Sequence, residues 1–208
     1  MKTEKPLIKV CGMRDAENIR SVEALGVDLI GLIFFPNSPR FVDTMPSYMP
    51  QKEKRVGVFV NADVEQILQT AEQYKLSTIQ LHGDEPKETC NKLRSEGYHL
   101  IKAFQIAEAE DLKKTSEYNG LYDYYLFDTK SSGYGGTGKT FNWNVLQHYS
   151  DNTPFLLSGG ISLASMDSLS AFDHPQCVGF DLNSRFEISP GLKDPILIKQ
   201  FINRIVTR

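Results

Sequence analysis

Eight short apolar runs punctuate the chain, at residues 8–11, 29–35, 56–60, 78–82, 99–104, 124–128, 155–158 and 178–182. Most are apolar on both faces rather than alternating, the pattern of parallel strands covered by helices. Helical spacing lies between several of them. Ala16, Ile19, Val22, Ala24 and Leu25 share one helical face, and Gly26 ends the run. Val64, Ile67, Leu68 and Ala71 make a second such face, with Asn61 or Asp63 as the expected cap. Residues 163–172 and 196–205 read as two further helices, and residues 141–144 open a modest one. The second helical segment, near residues 45–52, carries Pro46 and Pro50, so it is expected to be short or irregular.

Strand and helix therefore alternate along the chain, which predicts an α/β fold. Eight units in 208 residues leave about 26 residues each, near the minimum for a strand, a helix and two loops. The length sits near the lower bound of ~200 residues for a (β/α)8 TIM barrel. An open doubly wound sheet shares the alternation, and periodicity alone does not separate the two. No composition break, linker or low-complexity tract appears, so a single TIM-barrel domain over residues 1–208 is the expectation.

Composition narrows the function classes. The net charge is -3 with scattered basic residues, and no cluster would track a phosphodiester backbone, so nucleic acid is not an expected partner. Three cysteines, Cys11, Cys90 and Cys177, lack CxxC spacing, and a reducing cytoplasm is the natural reading. No signal peptide or membrane-length apolar run is read, so no membrane partner is expected. The four histidines, His82, His99, His148 and His174, show no paired ligand spacing, so no metal is expected.

In a closed barrel the strand ends converge on one face, where residues far apart in sequence meet. Cys11 ends the first apolar run and Asp128 ends the sixth. A thiol facing a carboxylic acid is a candidate base and acid pair. A free cysteine is also often only a small buried hydrophobe, and Asp128 could simply anchor the next loop. A reactive thiol needs nearby cations, and a carboxyl kept protonated needs desolvation or a nearby anion. Arg40 lies in a loop stiffened by Pro36 and Pro39, and an arginine held there can grip a carboxylate at two points; a solvated surface arginine is the plain alternative. His82 ends the fourth run, either lining a pocket or satisfying a local bond.

Two glycine-rich segments follow. Residues 133–140 match GxxxxGK[ST] in every fixed position, suggesting a nucleotide phosphate cradle with Lys139 and Thr140. The context argues otherwise, because four residues separate the strand end at Asp128 from the loop and no long helix follows. A lid over an active site after the sixth strand is the competing reading. Gly159 and Gly160 end the seventh run, and Asp181, Asn183, Ser184 and Arg185 end the eighth. Barrels often hold phosphate at these two ends, and a bare tight turn is the alternative at Gly159-Gly160.

With these residues assembled, the chain resembles the phosphoribosylanthranilate isomerases of tryptophan synthesis. The resemblance is carried in order by Lys9-Val10-Cys11-Gly12, Ser38-Pro39-Arg40, Val56-Gly57-Val58-Phe59, Gln80-Leu81-His82-Gly83, Phe127-Asp128, Gly135-Gly136-Thr137-Gly138, Ser158-Gly159-Gly160, Glu187 and Pro190-Gly191-Leu192-Lys193-Asp194. It implies an eightfold barrel and an Amadori rearrangement without cofactor or metal. It further implies Asp128 as general acid at the ribose ring oxygen and Cys11 as general base at C2′. Arg40 would hold the anthranilate carboxylate. The Gly159-Gly160 and Asn183-Ser184 turns would hold the phosphate, helped by the loop around Gly136, and Asp181 would sit near the sugar hydroxyls. Arg185 departs from the pattern, standing where many members have glycine. The implied partner is a phosphosugar small molecule, with a monomer or homodimer both compatible. Two rivals stand beside this: a P-loop NTPase or kinase built on residues 133–140, and a non-catalytic phosphate-binding barrel.

Overall fold

Strands that are apolar on both faces need cover on both, and here eight of them obtain it by closing on themselves. The computed structural model describes residues 5–129 and 142–206. The strands are β1 (Leu7–Cys11), β2 (Leu29–Ile33), β3 (Arg55–Phe59), β4 (Thr78–Leu81), β5 (His99–Ile106), β6 (Tyr124–Thr129), β7 (Phe155–Leu157) and β8 (Cys177–Leu182). They form one closed parallel barrel in sequence order, so the open-sheet alternative falls away. All eight predicted strands are present, with ends shifted by one or two residues.

The covering layer is less regular than the sheet. Its α-helices are α1 (Ala16–Glu23), α2 (Val64–Tyr74), α3 (Lys87–Ser95), α4 (Met166–Ala171) and α5 (Pro195–Val206). Residues 45–54, with Pro46 and Pro50, form no α-helix and only a 3-10 turn at Lys52–Lys54. The segments after β5 and before β7 are 3-10 as well, at Ala109–Tyr118 and Trp143–His148. Aromatic rings make up the cover there. Phe104, Tyr125, Phe127 and Phe155 point outward from β5 to β7 and pack on one another and on Tyr149 and His174. The expected cap of α2 is only partly right. Asp63 holds the N-cap position without a side-chain cap bond, while the Asn61 carboxamide instead accepts from the Asp84 N–H. Helix α3 was not read from the sequence, because Thr89, Cys90 and Leu93 are its only buried residues and its overall character is polar.

Inside the barrel, Val56, Val58, Ile101, Ala103, Leu126 and Leu156 form an apolar plug on which Cys11 rests. This places Cys11 at the floor of the C-terminal mouth. The seam is β1 against β8, pairing Leu7 with Gly179 and Lys9 with Asp181. A Cβ at Gly179 would lie 2.2 Å from the Leu7 carbonyl oxygen, so only glycine lets the last strand approach the first. Gly179→Ala should therefore destabilise by roughly 1–3 kcal/mol, the usual scale of overpacking. Urea unfolding checks this: the midpoint should fall with an unchanged m-value, and an unshifted midpoint would show that the seam relaxes freely.

Candidate active site

The floor of the mouth holds Cys11, and two glycines make its position possible. Gly31 is the cross-strand partner of Cys11, and a Cβ there would lie 2.8 Å from the sulfur. Gly12 follows in the left-handed region at φ +80°, where its missing side chain gives way to the Arg40 stem; a Cβ would lie 2.5 Å from Arg40 Cδ. The sulfur thus occupies space vacated by β2, and Arg40 crosses directly above β1.

Charge is packed densely around this thiol. Lys9, two residues back on the same face of β1, is wholly buried and donates to Asp181 Oδ1 on β8 at 2.8 Å. A short antiparallel hairpin, β9 (Glu187–Ser189) and β10 (Leu192–Lys193), then folds over the end of β8. It delivers Glu187 and Lys193. Glu187 clamps the Arg40 guanidinium from two sides, at 2.8 Å to Nε and 2.7 Å to Nη2. Lys193 Nζ donates to Glu187 Oε1 and, at 2.8 Å, to Asn183 Oδ1. The Lys193 backbone is locked in turn by Asn18 of α1, whose carboxamide accepts from its N–H and donates to its carbonyl, both at 2.8 Å.

These neighbours set the ionisation of the site. Burial pushes the Cys11 thiol up, the Lys9 and Lys193 ammoniums pull it back, and Asp181 adds to the rise. Burial opposes the charge of Lys9, but Asp181 and Cys11 outweigh it and its pKa ends above the usual value. Burial would raise Glu187, yet Arg40 and Lys193 together bring it below the usual carboxylate range. Lys193 is lowered by burial, since its carboxylate partner is shared with Arg40.

Across the mouth, Asp128 is the penultimate residue of β6 and is buried. His82, just past β4, places Nε2 3.9 Å from Asp128 Oδ2. Burial, with added repulsion from Lys9 and Lys102, lowers the His82 pKa to about 3. The imidazole is therefore neutral at ordinary pH. Its Nδ1 lies 2.9 Å from the Gln80 carboxamide nitrogen. Below, a buried clamp fixes the loop that carries the ring: Lys102 donates to Glu85 at 3.1 Å and to the Gly83 carbonyl, and Glu85 accepts from the Asn61 and Gly83 N–H groups.

The ends of β7 and β8 lie side by side. Gly159 and Gly160 both take positive φ, +81° and +72°, a backbone path closed to side chains without strain. Ser162 follows and caps the turn leading to α4 through a reciprocal bond pair with Ser165. Next to it, Asn183 and Ser184 open the 3-10 turn Ser184–Phe186. Arg185 in that turn is exposed. Gly136 and the whole 133–140 motif lie outside the described residues.

The fold thus brings Cys11, Arg40, His82, Asp128, Asp181, Asn183 and Ser184 to one end of the barrel, with Gly159-Gly160 beside them. Sequence reading gave no role to Lys9, Gln80, Glu187, Lys193 or Gly31. Two signals were legible in retrospect: Lys9 is a charge inside an apolar strand, and Asn18 is an amide on the apolar face of α1, buried with Ile19 and Val22.

The likeness of this chain to known proteins lies in its family and its fold. The family described as N-(5'phosphoribosyl)anthranilate (PRA) isomerase matches residues 8–204. The N-(5'-phosphoribosyl)anthranilate isomerase of Phocaeicola vulgatus is 52% identical over 199 residues, covering 96% of this chain and 97% of its own. The solved phosphoribosyl anthranilate isomerase of Thermotoga maritima superposes with a TM-score of 0.80 at 32% identity, covering 98% of this chain and 100% of that one. A further isomerase structure, in complex with reduced 1-(o-carboxyphenylamino)-1-deoxyribulose 5-phosphate, has a TM-score of 0.76 at 29% identity, covering 98% of this chain and 100% of that one.

The raised Cys11 pKa has a consequence for stability. Its contribution is complete below the ordinary thiol value of 9.0 and is lost as pH climbs through the higher folded value. Stability, read as urea midpoints, should fall across that alkaline window, and less steeply in Cys11→Ala. Parallel curves for the two proteins would mean that the thiol titrates as freely when folded as when unfolded.

Proposed function

Because this chain belongs to the N-(5'-phosphoribosyl)anthranilate isomerase family, we propose that Asp128 and Cys11 are the acid and base of its reaction. The protein is an isomerase of tryptophan biosynthesis, and the reaction is an Amadori rearrangement of N-(5'-phosphoribosyl)anthranilate to 1-(2-carboxyphenylamino)-1-deoxyribulose 5-phosphate. Asp128 protonates the ribose ring oxygen as the bond from C1′ to that oxygen breaks. The open form is an iminium, with its positive charge on the aniline nitrogen. Cys11 then removes the proton from C2′, and the resulting enolamine becomes the ketone as C1′ takes up a proton and the C2′ hydroxyl gives one up.

The observation that carries this reading is the setting of the Cys11 sulfur: at the end of β1, over the apolar plug, with Lys9 and Lys193 near enough to favour a thiolate. Burial keeps the resting group largely protonated. The substrate iminium adds one more cation beside it, and a thiolate formed at a high pKa is a strong base. On this reading the base is generated where and when the intermediate appears.

Binding follows from the remaining residues. Arg40, fixed by Glu187 through Nε and Nη2, has Nη1 outside that clamp to meet the anthranilate carboxylate. The Gly159-Gly160 and Asn183-Ser184 turns receive the phosphate at the other end of the substrate, with Gly136 as a further contact, and Asp181 and His82 face the sugar. Holding both ends fixes the ribose between acid and base. The residues invoked come from one chain, so a monomer or a homodimer serves equally. No described helix is long and apolar enough to cross a membrane, and three free cysteines suit the reducing cytoplasm. A single domain over residues 1–208 accommodates every step. The nucleotide-binding alternative at residues 133–140 draws no support from the relatives.

The decay of phosphoribosylanthranilate fluorescence measures turnover directly. Cys11→Ala and Asp128→Asn should each lower kcat by about 10²–10⁴-fold, the range for a positioned acid or base, with the circular dichroism spectrum retained. Wild-type kcat in either variant would remove that residue from the chemistry. Arg40→Ala should act mainly on KM, by roughly 10–100-fold, as expected for a lost charge-assisted contact; an unchanged KM would place the carboxylate elsewhere.

A further inference from the structure

Beside His82 lies a group that the scheme above leaves unused. Gln80 faces the barrel interior from β4 and is 1% exposed. Its amide nitrogen lies 2.9 Å from His82 Nδ1, while its Oε1 and His82 Nε2 are buried with no hydrogen-bond partner among the described residues. An amide nitrogen only donates, so Nδ1 accepts through its lone pair and the ring hydrogen of a neutral imidazole sits on Nε2. That nitrogen is the one 3.9 Å from Asp128 Oδ2. The gap is about 1 Å beyond a hydrogen bond, and a rotation of either side chain closes it.

We infer that Gln80 is a positioning residue: it holds His82 in the Nε2–H tautomer, so that the ring donates to the carboxylate formed when Asp128 gives up its proton. This rests on the reading of Asp128 as the general acid. The proton passes from Asp128 to the ribose ring oxygen, the electron pair of the breaking bond from C1′ goes to that oxygen, and His82 gives a hydrogen bond without losing its own proton.

The charge of the ring matters as much as its tautomer. An imidazolium beside Asp128 would hold the carboxyl ionised before catalysis, when it must still carry a proton. Burial, Lys9 on β1 and Lys102 on β5 all oppose that protonation. Lys102 is itself paired with Glu85 and faces the loop that carries the ring. A neutral N–H donor brings no net charge that would ionise Asp128 in advance, and it stabilises the negative charge as that develops, where such interactions accelerate a reaction.

The tautomer is read directly by two-bond nitrogen–proton correlation spectra of protein labelled with 15N-histidine, the His82 signals being assigned by their loss in His82→Asn. Wild-type protein should show a neutral ring with hydrogen on Nε2. Gln80→Met removes the donor, and should mix the tautomers and lower kcat on the order of tenfold, as for other partners that orient a histidine, with KM nearly unchanged. Gln80→Glu presents an acceptor to Nδ1, and should drive the ring to Nδ1–H or imidazolium with a larger loss. A wild-type ring protonated on Nδ1 overturns the inference, as does Gln80→Met with wild-type kcat. Should Gln80→Met fail to fold, the wild-type spectrum and Gln80→Glu still decide it. Wild-type turnover in Asp128→Asn would overturn the acid assignment, and with it the catalytic role, while leaving the tautomer result as measured.

Discussion

The buried contact between Lys9 and Asp181 is the constraint from which the active end of this barrel follows. It joins β1 to β8, the two strands that must meet for the sheet to close. Removing one partner of such a pair would leave an uncompensated buried charge, typically a loss of about 3–5 kcal/mol. The same ammonium sits near Cys11 and lowers a thiol pKa that burial alone would push higher, and it also adds to the forces that keep His82 neutral. One ion pair therefore bears on barrel closure, on the Cys11 thiol and on the His82 ring beside Asp128.

The second network works by relay rather than by single contacts. Asn18 of α1 fixes the backbone of Lys193, Lys193 fixes Glu187, and Glu187 fixes Arg40. Each link is a hydrogen bond to a group already constrained, so the guanidinium is oriented before any ligand arrives. The advantage is entropic: a long side chain held in place loses less freedom on binding. Glycine supplies the room. Gly12 yields to the Arg40 stem and Gly31 to the Cys11 sulfur, so the close approach of these side chains is set by absences on neighbouring strands.

Much of the architecture was legible in the order of apolar runs. Strands apolar on both faces, separated by helical spacing, leave few alternatives in a chain of this length, and all eight appear where the pattern puts them. The irregular connection after β2 was legible through Pro46 and Pro50. Helix α3 and the 3-10 segment Ala109–Tyr118 were not, because each buries too few apolar residues to print a periodicity. Cys11, Asp128, Arg40 and His82 were legible as candidates because each sits at a strand end or beside a stiffened loop. Lys9 showed only as a charge inside an apolar run, and Gln80 and Lys193 did not show at all, since neither residue type gives a sign of what lies opposite it.

The sequence by itself determined the alternation of elements, the strand ends on which chemistry would sit, and the order of short motifs that marks the family, because these depend only on local pattern and spacing. The tertiary structure decided closure over an open sheet, the pairing of Lys9 with Asp181 across 172 residues of chain, the clamp of Glu187 on Arg40 and the neutral state of His82. Those are matters of distance and dielectric, and neither exists until strands remote in sequence are brought side by side and water is excluded from between them.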